Sequence, residues 1–370
     1  MLTKRCALAH TTDPIQVSLC EDRFCEYTGF KYSVGLNSCG SAIFLALKCV
    51  GVQPGDKVLS NAFTFTAVPS AIVHAGADPV YVNCLSNYTI DVDDLERKAV
   101  ESGAKYVVVS HMRGWSAEMD KIADLCERMD LVMVEDCAHA LSVRYKGVQL
   151  GHFGKVACFS SQSYKLLNSG EGGFLSTNDD DIAAKAILYA GSYEKLYQKH
   201  LRSPPAEAFE GIKKDIPNFS LRMHAVTAAM IRPQFDELDE NVPRYNATYN
   251  MMKERLMKHK HITIPSQFEG VSPVHDSMQM NIVGLSEGQC TKFAALTKER
   301  GMPVEIFGNR ENARNFINWK FSDADVSGLK QTTDIIMFAA DVRLPLQFDE
   351  GDFDTMCCII EECLDEAAMH

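Results

Sequence analysis

Three uninterrupted apolar runs, Tyr106-Val-Val-Val-Ser110, Leu131-Val-Met-Val134 and Val156-Ala-Cys-Phe159, recur at an even spacing with helix-like stretches between them. A strand that is apolar at every position has no solvent face, so it must be covered on both sides. Covered strands alternating with helices build parallel β–α–β units. The chain is therefore predicted to be α/β, with a mostly parallel sheet in its first two-thirds. Neighbouring stretches fit. Ser41 to Val50 reads as a helix, with Ile43, Leu45, Ala46 and Leu47 on its buried side. Lys57-Val-Leu-Ser60, Asp78-Pro-Val-Tyr-Val-Asn83 and Gly172-Gly-Phe-Leu-Ser-Thr177 read as strands. Thr66 to Ala75 reads as a helix with Pro69 in its first turn, and Asp91 caps a helix running to about Ser102.

From Tyr193 to Pro217 the rhythm is lost around Ser203-Pro-Pro-Ala, and this reads as a long surface excursion. The helical period returns from Leu221 to Leu238 and from Val242 to Lys258. Beyond residue 260, a strand at Met278-Gln-Met-Asn-Ile282 mixes with helices at Gly288 to Arg300 and Asp352 to Ala367. The expected division is a large domain over 1–240 and a smaller α+β domain over 241–370. A chain of 370 residues is ample for two domains.

The net charge of −12 argues against nucleic acid or an anionic membrane surface as a partner. The 13 cysteines are odd in number and none is spaced Cys-x-x-Cys. Several, including Cys49, Cys126, Cys158, Cys290 and Cys363, fall within apolar patterns. They read as reduced, buried residues of a cytoplasmic protein, with no metal-ligand cluster. The opening Met1-Leu-Thr-Lys-Arg has too short an apolar run after it for a signal peptide, and no apolar run is long enough to span a membrane.

The chemistry concentrates in Cys158-Phe-Ser-Ser-Gln-Ser-Tyr-Lys165-Leu-Leu-Asn-Ser-Gly-Glu-Gly-Gly173, which sets one lysine between a strand and a glycine-dense turn. A buried lysine with a lowered pKa can attack an aldehyde and form a Schiff base. Asp136 ends an apolar run, where a carboxylate can hold a pyridinium nitrogen. Lysine with aspartate is the pair that pyridoxal 5′-phosphate requires. Asn37-Ser-Cys-Gly-Ser41 precedes a helix and can offer backbone amides to a phosphate. Phe65 can stack on a flat ring or simply join the core. His139 faces the same pocket or packs, and Ser160 donates to a phosphate or to backbone.

In this order the residues resemble the DegT/DnrJ/StrS family of pyridoxal-phosphate-dependent sugar aminotransferases. The matching stretches include Ser38-Cys-Gly-Ser-Ala-Ile-Phe-Leu-Ala-Leu47, Phe63-Thr-Phe-Thr-Ala67, Glu135-Asp-Cys-Ala-His139, Gly154-Lys-Val-Ala-Cys-Phe-Ser160, Gly170-Glu-Gly-Gly173 and Arg343-Leu-Pro-Leu346. The similarity runs from about Leu19 to Ile359. The resemblance implies the fold type I aminotransferase fold. It implies Lys165 as Schiff-base lysine and proton shuttle, Asp136 at the pyridinium and Phe65 against the ring. It places Gly40, Ser41 and Ser160 at the phosphate and His139 near the phenolic oxygen. Asn218 would reach the phosphate of a neighbouring subunit in a homodimer. The substrates implied are glutamate or glutamine as amino donor and a ketone as acceptor.

The chain departs from the family on the acceptor side. Cys39-Gly40 stands where Gly-Thr is usual, His111-Met-Arg-Gly-Trp115 replaces His-x-x-Gly-Gln, and Glu305-Ile-Phe-Gly-Asn-Arg-Glu311 lacks a late histidine. These changes leave keto sugar, cyclitol and specialised-metabolite ketone open as acceptors. Arg222 and Arg113 are candidates for a substrate carboxylate. Another pyridoxal phosphate reaction (a lyase, decarboxylase or dehydratase) is the alternative, and a non-catalytic cofactor sensor is a third. A nicotinamide dehydrogenase is disfavoured, since no Gly-x-Gly-x-x-Gly follows the early strands.

Overall fold

The structure is a computed structural model and describes residues 15–192 and 196–369. In chain order its strands are β1 (Tyr32–Leu36), β2 (Lys57–Asn61), β3 (Asp78–Val82), β4 (Tyr106–Ser110), β5 (Val132–Asp136), β6 (Arg144–Tyr145), β7 (Val148–Gln149), β8 (Val156–Ser160) and β9 (Gly173–Thr177). After them come β10 (Ile262–Thr263), β11 (Val271–Ser272), β12 (Ser277–Ile282), β13 (Glu305–Ile306) and β14 (Ala339–Arg343).

The seven-stranded sheet has the order β1-β9-β8-β5-β4-β2-β3. Its β2, β3, β4, β5 and β8 run parallel, and β9 is antiparallel to both neighbours. The fold is the α/β fold expected. Period-two geometry explains why the apolar runs are continuous. Val107 and Val109 enter one core with Leu59 and Met133, whereas Val108 enters another with Val58, Val134 and Val156. Every second residue thus feeds the opposite face, and both faces are apolar. Asp91 caps the helix Val92–Ser102 by accepting from the amides of Asp93 and Asp94.

The second sheet, β10-β12-β14-β13, is antiparallel throughout. The helices Leu238–Leu256, Glu287–Glu299 and Glu350–Ala368 enclose its core with Met278, Met280, Phe293 and Ile360. Leu238 belongs to the first sheet's core, and Tyr249, Met252 and Leu256 of the same helix belong to the second. A further cluster of Phe63, Tyr81, Trp115, Phe307, Phe316 and Trp319 joins the two layers. Trp115 Nε1 donates to Gln279 Oε1 at 2.9 Å across this seam.

Two expectations change. The stretch read as a surface excursion has its first residues, 193–195, outside the described residues. Beyond them it is pinned inward: Phe209 is buried and stacks on Tyr197 at a centroid distance of 4.3 Å. Pro-Pro interrupts the helical pattern and hides the apolar anchors that follow it. The helical reading from Leu221 begins late. Arg222 forms a β-bridge with Leu36, and helix starts only at Ala225. Pro233 then tightens Arg232–Glu237 into a 3₁₀ turn. The start of the chain, through residue 14, lies outside the described residues. Among the described residues no helix is long and apolar enough to cross a membrane. The described cysteines are free and, apart from Cys358, buried.

Candidate active site

In parallel strands the C-terminal ends lie side by side, so polar residues that close the apolar runs must gather along one sheet edge. Asn61, Ser110, Asp136 and Ser160 end β2, β4, β5 and β8. Ser110 Oγ donates to Asp136 Oδ2 at 2.7 Å, and Thr64 Oγ1 donates to Ser110 Oγ at 2.8 Å. Asn61 exchanges hydrogen bonds with the Ser110 backbone at 3.0 and 3.1 Å. The amide of Ala138 donates to Asp136 Oδ1 at 3.1 Å. These donors hold the Asp136 carboxylate in one orientation.

Lys165 lies on the loop between β8 and β9. The loop is closed on itself by Ser161 N donating to Gly172 O and Ser163 N donating to Gly170 O, both at 3.0 Å. The residue before the lysine, Tyr164, has φ +75°, a left-handed conformation that turns the chain. Lys165 Nζ comes within 2.7 Å of His139 Nε2. Burial, reinforced by Arg113 and Arg343, lowers the Lys165 amine to about 7. Burial and then the Lys165 charge hold His139 well below the usual imidazole range. His139 is therefore neutral in the ordinary working range, and the free-amine form of Lys165 is populated from about neutral pH upward.

A cavity of about 820 Å³ holds Lys165, His139, Asp136, Ser160, Gly40 and Phe65 on one side. Its far side is built by Arg314, Asp341, Arg343 and the Gly301-Met-Pro303 turn. Phe65 presents a ring that is 43% exposed, although its neighbour Phe63 is fully buried. The helix Cys39–Cys49 points its first turn at the cavity through Cys39 and Gly40. First-turn amides have no intrahelical acceptor, so they are available to an anion. Ser41 Oγ instead donates to Asn37 Oδ1 at 2.7 Å, and its amide donates to the Ser38 cap. Gly173 closes the cradle from below: a Cβ there would sit 2.5 Å from the Cys39 amide nitrogen. Amine, carboxylate, exposed ring and anion cradle in one cavity fit the four parts of pyridoxal phosphate.

Three of the residues expected at the site, Ser41, Arg222 and Asn218, do not line this cavity within the chain. Arg222 Nη1 donates to the Gly191 carbonyl at 2.6 Å, so that guanidinium supports the backbone. Asn218 Oδ1 accepts from the Ser220 amide at 2.7 Å. Sequence reasoning missed Ser110 and Thr64. The signal was present in Ser110, the polar residue that closes the apolar run of β4. It also missed Arg314 and Asp341, which carry no local signal, and it quoted Arg343 only as part of a matching stretch without a role. Glu135, beside Asp136, is turned the other way. It accepts from the amides of Gly151, Phe153 and Gly154 and bonds His111 Nε2 at 3.0 Å. His111, Glu135 and Cys137 thus gather ligand-type atoms within 4.8 Å, a cluster that sequence spacing did not show. The Glu135 oxygens are already committed to the protein's own donors.

The profile of the DegT/DnrJ/EryC1/StrS aminotransferase family matches residues 11–316. The chain belongs to that family. The spore coat polysaccharide biosynthesis protein SpsC of Bacillus subtilis is 34% identical over 60% of this chain and 56% of its own length. The UDP-4-amino-4-deoxy-L-arabinose–oxoglutarate aminotransferase of Shewanella sediminis is 32% identical over 56% of this chain and 54% of its own. The matches thus span little more than half of these relatives. The crystal structure of the aminotransferase TlmJ from Streptoalloteichus hindustanus superposes with a TM-score of 0.81 at 21% identity, over 95% of this chain and 92% of that one. The fold is the fold type I aminotransferase fold, and the cofactor of the family is pyridoxal 5′-phosphate.

Proposed function

We propose that this chain is an aminotransferase that moves an amino group from glutamate or glutamine to a ketone: a keto sugar, a cyclitol or a specialised-metabolite ketone. The observation that carries this reading is the buried Lys165 amine, 2.7 Å from His139 and in one cavity with the Asp136 carboxylate. When bound, pyridoxal phosphate supplies an aldehyde for that amine and a ring that accepts electrons. Asp136 would hold the proton on the ring nitrogen, and Ser110 and Thr64 would keep its carboxylate in place. Lys165 Nζ would carry the proton between substrate carbon and cofactor, and the neutral His139 beside it would leave that amine uncharged. Gly40, Ser41 and Ser160 would hold the phosphate, and Phe65 would cover the ring.

The same reading makes the protein a cytoplasmic homodimer, with Asn218 reaching the partner's phosphate, and sets residues 1–240 as the cofactor domain and 241–370 as the small domain. The decisive experiment is the absorption spectrum of the cofactor-loaded protein before and after L-glutamate or L-glutamine. Replacement of the visible band by a near-ultraviolet one identifies the donor. A visible band indifferent to both donors would overturn amino transfer, and Lys165→Ala should show no band at all.

A further inference from the structure

Phe65 has a task that its own segment does not secure. It sits on the bend after β2 and lines the cavity with its ring 43% exposed. A half-exposed ring has few contacts to fix its rotamer, yet a ring that covers a cofactor must hold one plane. Its neighbour Phe63 is secured differently: it is fully buried and packs on Phe307, with ring centroids 4.9 Å apart.

The contact that Phe65 needs comes from the opposite wall. The Arg314 guanidinium lies over the Phe65 ring, 5.5 Å from its centroid, and over the Phe307 ring at 5.9 Å. The contacts thus run from Phe63 through Phe307 and Arg314 back to Phe65, the segment from which they started. Arg314 is itself held. Its Nη1 donates to Glu305 at 3.0 Å and to Asn312 Oδ1 at 3.4 Å, and its side chain is only 15% exposed. Its loop is tied by Asn315 Nδ2 donating to the Gly308 carbonyl at 2.8 Å and by Trp319 Nε1 donating to the Ala313 carbonyl at 2.9 Å. Arg314 Nε has no hydrogen-bond partner. An aromatic face attracts a cation, and more strongly where water is excluded. The two rings are therefore the surroundings that compensate this largely buried guanidinium beyond its ion pair.

We infer that Arg314 is a positioning residue for the cofactor: set between Phe307 and Phe65, it holds the Phe65 ring in the plane that covers the pyridoxal ring. A loop of the second layer thereby sets how tightly the cofactor is kept. This rests on the reading of Phe65 as the residue that covers the cofactor. Arg314 acts through Phe65 and stays paired with Glu305 throughout.

The test is a double-mutant cycle on Arg314 and Phe65, read as the dissociation constant of pyridoxal phosphate in spectral titrations of the unloaded protein. Arg314→Met keeps the reach of the side chain and removes the cation. It is expected to weaken the cofactor about fivefold, the size of a largely desolvated cation–π contact. Phe65→Leu is expected to weaken it about tenfold. The double variant should be no weaker than Phe65→Leu alone, because a residue that acts only through Phe65 has nothing left to hold. The visible circular dichroism of the cofactor at saturation should fall in Arg314→Met, since the ring is held less firmly. Arg314→Gln, which still offers Glu305 a donor, carries the same cycle if Arg314→Met does not fold. Wild-type affinity in the Arg314 variant overturns the brace, and so does a double variant whose loss is the product of the two single losses. Wild-type affinity in Phe65→Leu overturns it by another route, since Phe65 then does not cover the cofactor; the response of the visible band to glutamate or glutamine still decides amino transfer separately.

Discussion

The two walls of the cavity are built on different principles. The wall around Lys165 comes from one sheet, where Ser110, Asp136 and Ser160 close parallel strands at a shared edge. Strand pairing fixes these residues relative to one another: Ser110 and Asp136 are direct register partners of β4 and β5. The opposite wall draws Arg113 from a turn after β4, Arg314 from a loop, and Asp341 and Arg343 from β14. Nothing in the strand repeat relates them. They meet because Phe307 and Trp115 seal the two layers and because Arg113 and Asp341 neutralise each other in the seam. A wall made by repetition is legible locally, whereas a wall made by docking is not.

Substitutions can break or sharpen this contrast. The largest effect is expected on the repetitive wall. Lys165→Ala removes both the nucleophile and the proton carrier and should cut turnover by roughly 10⁴-fold, measured with glutamate in single-turnover assays, with the fold intact by circular dichroism. On the docked wall the largest effect is on stability instead. Asp341→Ala leaves Arg113 buried without its counter-ion and should destabilise the chain by about 3–5 kcal/mol, read from denaturant unfolding. If that variant proves as stable as wild type, the seam is not held by the pair.

Gly173→Ala tests the cradle. Its Cβ meets backbone at Ser38 and Cys39, so the helix start must shift, with a cost of about 1–3 kcal/mol and weaker cofactor binding by spectral titration. Ser110→Ala removes one donor to Asp136 and should lower kcat/KM by about tenfold, with unfolding measured in parallel to separate positioning from stability. The smallest effect is graded by pH. Lys165 reacts as the neutral amine, which is present above its value of about 7 and lost as pH falls through it. Reconstitution of the unloaded protein should therefore be level above pH 7 and slow about tenfold per pH unit below it. A rate that keeps climbing to pH 10 would mean that Lys165 is not shifted.

Much of the first wall was legible before any coordinates. The continuous apolar runs required covered strands, and their terminal polar residues named the site edge. Asp136 and Lys165 could be paired because their elements are close in the chain, whereas His139 was left between facing the pocket and packing until the resemblance placed it. Ser110 was overlooked because a serine ending a strand is ordinary until Asp136 is seen 2.7 Å away. Arg222 was expected to meet substrate because arginine binds carboxylates, but the β-bridge with Leu36 ties its segment to the sheet edge and Gly191 takes its guanidinium. Phe209 was assigned to the surface because prolines upstream mask its apolar spacing.

By itself the sequence determined the α/β class, the parallel strand runs, the Lys165–Asp136 pair and the family, since each is written in local periodicity or contiguous motif. Only the tertiary structure decided that Arg113, Arg314 and Asp341 share a cavity with Lys165, and that Arg222 does not. Side-chain chemistry is a property of the residue. Whether a guanidinium is buried, paired or left with a free N–H depends on which distant segments pack against it.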